Sequence, residues 1–142
     1  MSQITLLPFQ ERHVQKLQEI LSLRPFAFDF SLMGSGKTFT STKLAYEGKF
    51  SHVIVVCPNS VIPKWNSMKS LAADVPFRAC VSYQSLRSTT FHQPKHKLLH
   101  RFESTALHRQ GNTPEFTATD LYKSYVNEGL LLILDEVQNI KD

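Results

Sequence analysis

Phe26-Ala27-Phe28-Asp29-Phe30-Ser31-Leu32-Met33-Gly34-Ser35-Gly36-Lys37-Thr38 is the stretch that decides the fold. An aromatic run that favours a strand, Phe26 to Leu32, leads into a Gly-Ser-Gly turn. The turn leads into Lys37 to Tyr46, a helix-forming segment closed by Gly48. Strand, glycine loop and helix in that order make a phosphate cradle. The glycines let backbone N–H groups converge and let an anion approach closely, and the helix adds the positive end of its dipole. Met33, Gly34, Ser35 and Gly36 are therefore the expected loop. Lys37 is expected on the β- and γ-phosphates of ATP, and the Thr38 hydroxyl on Mg²⁺. The full pattern G-x-x-x-x-G-K-[ST] asks for glycine at position 31, where this chain has Ser31. The bland alternative is a flexible Gly-Ser turn ahead of an ordinary helix.

Asp135-Glu136 follows the apolar run Leu130-Leu131-Leu132-Ile133-Leu134. A carboxylate at the C-terminal end of a buried parallel strand lies where open α/β sheets bind ligands. Asp135 is expected to hold Mg²⁺, and Glu136 to orient or deprotonate the attacking water. Taken alone the pair is also consistent with polar residues at a strand end. Beside a phosphate loop it gains meaning, because phosphoryl transfer needs both a cradle and a metal carboxylate.

The rest of the chain alternates in the same way. Val14, Leu17, Ile20 and Leu21 lie at helical spacing within Gln10 to Leu23. Val53 to Cys57 is an unbroken apolar run, the signature of a strand covered on both faces in a parallel sheet. Val61 to Ala73 reads as a helix with Ser60 as its cap, Phe77 to Tyr83 as a strand, Asp120 to Glu128 as a short helix and Leu130 to Leu134 as a buried strand. Strands alternating with helices predict an α/β fold with a mostly parallel sheet. Residues 88–118 read as an irregular, basic insertion that includes His92, His96 and His100. The neighbouring Lys95, Lys97 and Arg101 oppose a bound cation, so a solvated or phosphate-touching surface is the favoured reading there. Trp65 is weighed as a base-stacking residue and, in preference, as half-buried core.

With 142 residues, the chain suits one domain, and 42% hydrophobic residues suffice for a core. A net charge of +4 is compatible with a polyanion partner but does not demand one. Cys57 and Cys80 sit in apolar runs and read as buried free thiols of a reducing compartment. No apolar run is long enough to span a bilayer. An intracellular, non-membrane protein is expected: nuclear in a eukaryote, otherwise in the cytoplasm or at a viral replication site.

The order of these motifs resembles the first RecA-like lobe of a superfamily 2 helicase, and within it the Swi/Snf-type translocases. Leu7-Pro8-Phe9-Gln10 resembles the opening motif, whose glutamine contacts adenine; the resemblance gives that role to Gln10. Leu32 to Thr38 resembles motif I. Val53 to Ser60 with Pro63-Lys64-Trp65 resembles motif Ia, which follows the nucleic-acid backbone. Ser82-Tyr83-Gln84-Ser85-Leu86 resembles the short block between Ia and II, and Leu134 to Lys141 resembles motif II. Val137-Gln138 stands where the Swi/Snf branch more often has Ala-His. The resemblance implies a P-loop NTPase with a RecA-like parallel sheet flanked by helices. It implies residues 1–142 as the N-terminal part of a helicase ATP-binding domain, hydrolysing ATP with Mg²⁺ and moving on nucleic acid, in particular double-stranded DNA.

A motor of this kind also uses a third motif and a second RecA-like lobe, supplied in cis or in trans, which carries an arginine finger. Residues 1–142 include neither. In the RecA-type sheet the strand after motif II lies between the phosphate-loop strand and the motif II strand. The expectation is an incomplete lobe with a gap in its sheet, weak turnover by itself, and completion by more polypeptide. Two rival readings stand: an ATP-binding but hydrolytically weak binding or regulatory module, and a small-molecule kinase, which the strand-end Asp135-Glu136 and the Leu-Pro-Phe-Gln block disfavour.

Overall fold

His52–Cys57 forms β1, and all six residues are buried. The reason is position: β1 lies in the middle of a three-stranded parallel sheet ordered β2-β1-β5, between Phe77–Ser82 (β2) and Leu130–Leu134 (β5). Val55 is level with Cys80 on one side and Ile133 on the other. The structure is a computed structural model and describes residues 5–29, 36–87, 99–103 and 114–137.

Side chains alternate across a strand, so β1 feeds two cores. Val53, Val55 and Cys57 pack with Leu17, Leu44, Ala45, Trp65 and Met68, which come from Pro8–Leu23 (α1), Lys37–Glu47 (α2) and Ile62–Leu71 (α3). Ile54 and Val56 pack on the other face with Ala79, Val81 and the rings of Tyr122 and Tyr125. Those rings belong to Asp120–Glu128 (α5), whose first turn is capped by Thr119 accepting from the Tyr122 N–H at 3.2 Å. The result is an α/β fold with a small parallel sheet flanked by helices, compatible with a RecA-like arrangement.

Helix limits follow local chemistry. Pro8 occupies the first turn of α1, where its missing N–H costs nothing, and the Gln10 carboxamide accepts from the Leu7 N–H at 2.9 Å. A 3₁₀ turn at Asn59–Val61 precedes α3, and Ser60 does not cap it. Tyr83 is not in the strand, as expected from sequence, but opens the short helix Tyr83–Arg87 (α4).

Three further expectations differ from the fold. Phe26 to Asp29 is not a strand: among the described residues it joins no sheet ladder, and a strand exists only through its ladder. Phe26 and Phe28 are instead 59% and 66% exposed and meet edge to face at 5.8 Å. Residues 30–32 lie outside the described residues. Next, β5 is not buried like β1, because among the described residues only β1 pairs with it: Leu132 and Leu134 remain 39% and 45% exposed. Finally, the segment read as irregular contains an antiparallel pair, Leu99–Glu103 (β3) with Pro114–Ala118 (β4), Arg101 facing Phe116 in register.

Candidate nucleotide site

The expected cradle enters the described structure at Gly36, with Met33, Gly34 and Ser35 outside it. Gly36 caps α2 in the left-handed region, at φ 82° and ψ 38°. Glycine is favoured by the backbone, since a Cβ at this φ would be strained; it would also meet the tip of the Gln10 side chain, which can move aside. Gln10 thus lies against the end of the loop, 26 positions before Gly36 in the chain. Lys37 is the first residue of α2 and half-buried, and Thr38 beside it is buried. The next turn is stitched by its own hydroxyls: Thr42 donates to the Thr38 carbonyl at 2.7 Å and Thr40 to the Gly36 carbonyl at 3.1 Å. Helix α2 packs on α1 and α3.

Asp135 leaves the end of β5 with its backbone N–H, its carbonyl and one carboxylate oxygen held. Its N–H donates to the Val56 carbonyl at 2.9 Å. Its carbonyl accepts from the Tyr83 hydroxyl at 2.8 Å. Its Oδ2 accepts from the Trp65 indole N–H at 2.8 Å. Glu136 follows, exposed, at φ 54°, a left-handed conformation uncommon for a residue with a side chain. Gln138 to Lys141 lie outside the described residues, as do His92 and His96.

Neighbours of Asp135 are kept neutral. Burial, reinforced by Cys80 and Asp135, pushes the Cys57 thiol up to about 12. Burial raises Cys80 too. The Tyr83 phenol is pushed up to about 12, again by burial first and then by Asp135, Cys57 and Glu136. Both cysteines are free, with Sγ atoms 3.9 Å apart; Cys57 is buried, whereas Cys80, also expected to be buried, is half-buried. Thiols held protonated are poor ligands for a soft cation. The Thr38 hydroxyl and the Asp135 carboxylate are donors of the kind Mg²⁺ takes.

Sequence reasoning missed the partners of Asp135. Trp65 is 2% exposed and cannot stack on a base; its indole serves the aspartate seventy positions away. It also missed the anchor at the opposite end of the sheet. There His52 bonds Glu128 through Nε2, accepts from Arg78 Nε on Nδ1 at 2.7 Å, and stacks on Tyr125 with ring centroids 4.4 Å apart.

The chain is 33% identical over 84 residues to a protein of Acanthamoeba polyphaga mimivirus described as a "putative ATP-dependent RNA helicase". The match takes in 58% of this chain and 15% of the viral protein, so the chain spans a small part of that relative's length. No family model and no solved structure matches it. This likeness supports a helicase-like relationship. Among the described residues no helix is long and apolar enough to cross a membrane.

Proposed function

We propose that this chain binds Mg·ATP between the loop ending at Gly36-Lys37-Thr38 and the Asp135-Glu136 pair, and that it is the ATP-binding front part of a helicase-type motor working on nucleic acid. The observation that supports this most is the held geometry of Asp135, fixed at the end of a parallel strand by β1, Tyr83 and Trp65. Helix α2 adds a glycine-capped N-terminus whose next residue is a lysine.

In this reading Lys37 contacts the β- and γ-phosphates, while Gly34, Ser35 and Gly36 supply backbone N–H groups. Thr38 and Asp135 hold the metal, and Glu136 orients or takes the proton of the attacking water. Gln10, seated against Gly36, reads the adenine edge, and Met33 is assigned to the nucleotide-binding loop by its place in the sequence. Bound Mg²⁺ supplies the charge that neutralises the triphosphate. Double-stranded DNA is the proposed track, with a second RecA-like lobe in cis or in trans supplying the remaining catalytic groups. The mimivirus relative's name leaves RNA as the competing track. A second reading, ATP binding with little turnover, draws on the half-covered strand that carries Asp135.

Calorimetry tests the core of this. Saturable uptake of Mg·ATP is expected, and Lys37→Ala should weaken it by about 1.5–3 kcal/mol, roughly ten- to a hundredfold. A folded chain that takes up no nucleotide overturns the proposal. Hydrolysis measured with duplex DNA, with RNA and with neither then decides the track, and nucleotide uptake without stimulated turnover favours the binding module.

A further inference from the structure

We infer that Trp65 is a positioning residue for the Asp135 carboxylate, holding one oxygen so that the other is aimed at the metal; this rests on the reading of Asp135 as the magnesium carboxylate. The indole N–H has one direct acceptor, Asp135 Oδ2 at 2.8 Å. A buried indole N–H needs such a partner, and Trp65 is buried. The ring is held in turn. It packs in the core with Val55, Cys57 and Met68, and meets Phe77 edge to face at 6.2 Å. The indole therefore cannot follow a swinging carboxylate.

The other polar atoms of Asp135 complete the argument. Its N–H and C=O are taken by Val56 and Tyr83, which fix the backbone on both sides. Its Oδ2 is taken by Trp65, which fixes the side-chain torsions. The remaining atom, Oδ1, makes no hydrogen bond among the described residues. A carboxylate held through one oxygen offers the other as a ligand without first losing rotamer freedom. Nothing local in the sequence marks this: Trp65 sits in a helix that shares no chain neighbourhood with Asp135, and only the fold joins them.

The chain contains one tryptophan, so all indole emission comes from Trp65. The experiment uses the full chain with a non-hydrolysable ATP analogue, followed by calorimetry and by tryptophan emission as Mg²⁺ is titrated in. In the wild type, emission should shift with the same half-saturation as the magnesium-dependent step in calorimetry. Trp65→Phe keeps a ring and removes the N–H. It should raise the magnesium half-saturation about tenfold, the usual cost of losing a partner behind a metal ligand. That loss should show in the magnesium titration and not in analogue affinity measured in EDTA. Trp65→His, which restores a ring N–H, should recover part of it. A merely structural tryptophan would lower both affinities together, and that result overturns the inference, as does an unchanged magnesium half-saturation in Trp65→Phe. Should Trp65→Phe not fold, wild-type emission that stays constant while magnesium tightens analogue binding is by itself decisive against it. A wild-type chain that binds no analogue at all removes the nucleotide reading and this inference together, whereas a wild type that binds while the indole fails its tests removes the inference alone.

Discussion

Strands β1 and β5 look alike in sequence and differ in the fold. Each is an unbroken apolar run, and they pair in parallel with His52 level with Leu130 and Val56 level with Leu134. Yet β1 is buried throughout, while Leu132 and Leu134 on β5 are well exposed. The difference comes from neighbours. Strand β1 has a strand on each side, three helices over one face and α5 toward the other. Among the described residues strand β5 pairs with β1 alone, so its apolar side chains carry less of the hydrophobic stabilisation. The strand that bears the candidate metal carboxylate is thus the weaker of the two, held by ties at its ends.

The largest test of that asymmetry is a matched pair of cavities on the same face. Ile54→Ala removes a fully buried side chain and should cost about 2–5 kcal/mol in urea denaturation. Leu132→Ala, level with Ile54 across the ladder, should cost less than about 1 kcal/mol, since its side chain already meets water. Equal losses would mean that β5 is as well covered as β1, and the comparison would break.

The tie at the lower end is smaller. Gly129 closes α5 at φ 108°, and its carbonyl accepts from the Ser51 and His52 N–H groups at 3.0 and 3.1 Å. His52 then binds Glu128 and Arg78, joining β1, β2 and α5 around one ring. Because Arg78 Nε can only donate, Nδ1 of His52 is the acceptor, and Nε2 is the nitrogen that faces Glu128. His52→Phe keeps the stacking on Tyr125 and deletes both bonds. It should cost about 1–2 kcal/mol, the range of one charge-assisted bond partly screened by solvent. Hydrogen exchange should show the loss in β5 amides ahead of those of β1.

How much of this was legible beforehand depended on whether the signal was local. The runs Val53 to Cys57 and Leu130 to Leu134 carry their own strand pattern, and Asp120 to Glu128 its own helix, so those elements were read with their limits nearly right. The burial of β5 was misjudged because an apolar run records composition and not the number of neighbouring strands. Phe26 to Asp29 was misjudged for the same reason, since β propensity without a ladder partner does not make a strand. Around the proposed site, Gly36, Lys37, Thr38, Asp135 and Glu136 are candidates by residue type and spacing alone. Trp65 and Tyr83 did not, because their contacts with Asp135 cross 70 and 52 positions and exist only once α3, β2 and β5 are packed. The β3–β4 pair was hidden by the charged, histidine-rich composition around it.

The upper tie gives the smallest effect, and its sign follows from the shifted groups. Cys57 and Tyr83 both flank Asp135, where β1 and β5 end. Their ordinary values are 9.0 and 10.0, and in the fold each is pushed up to about 12, chiefly by burial. Between those limits the unfolded chain has lost protons that the folded chain still holds, so unfolding gains on folding as pH rises. The stabilisation from these neutral groups is therefore complete below about pH 9 and disappears as pH climbs toward 12. Tyr83 is partly exposed, so solvent screens its share and the loss should be modest. Denaturation midpoints followed from pH 8 to 11 should fall, and Tyr83→Phe with Cys57→Ala should flatten the slope that remains after correction for lysine and the other tyrosines. Tyr83→Phe also frees the Asp135 carbonyl, so the same variant should loosen the end of β5 more than the end of β1. Equal loosening would place Tyr83 in the general core and remove it from the tie that holds the carboxylate strand.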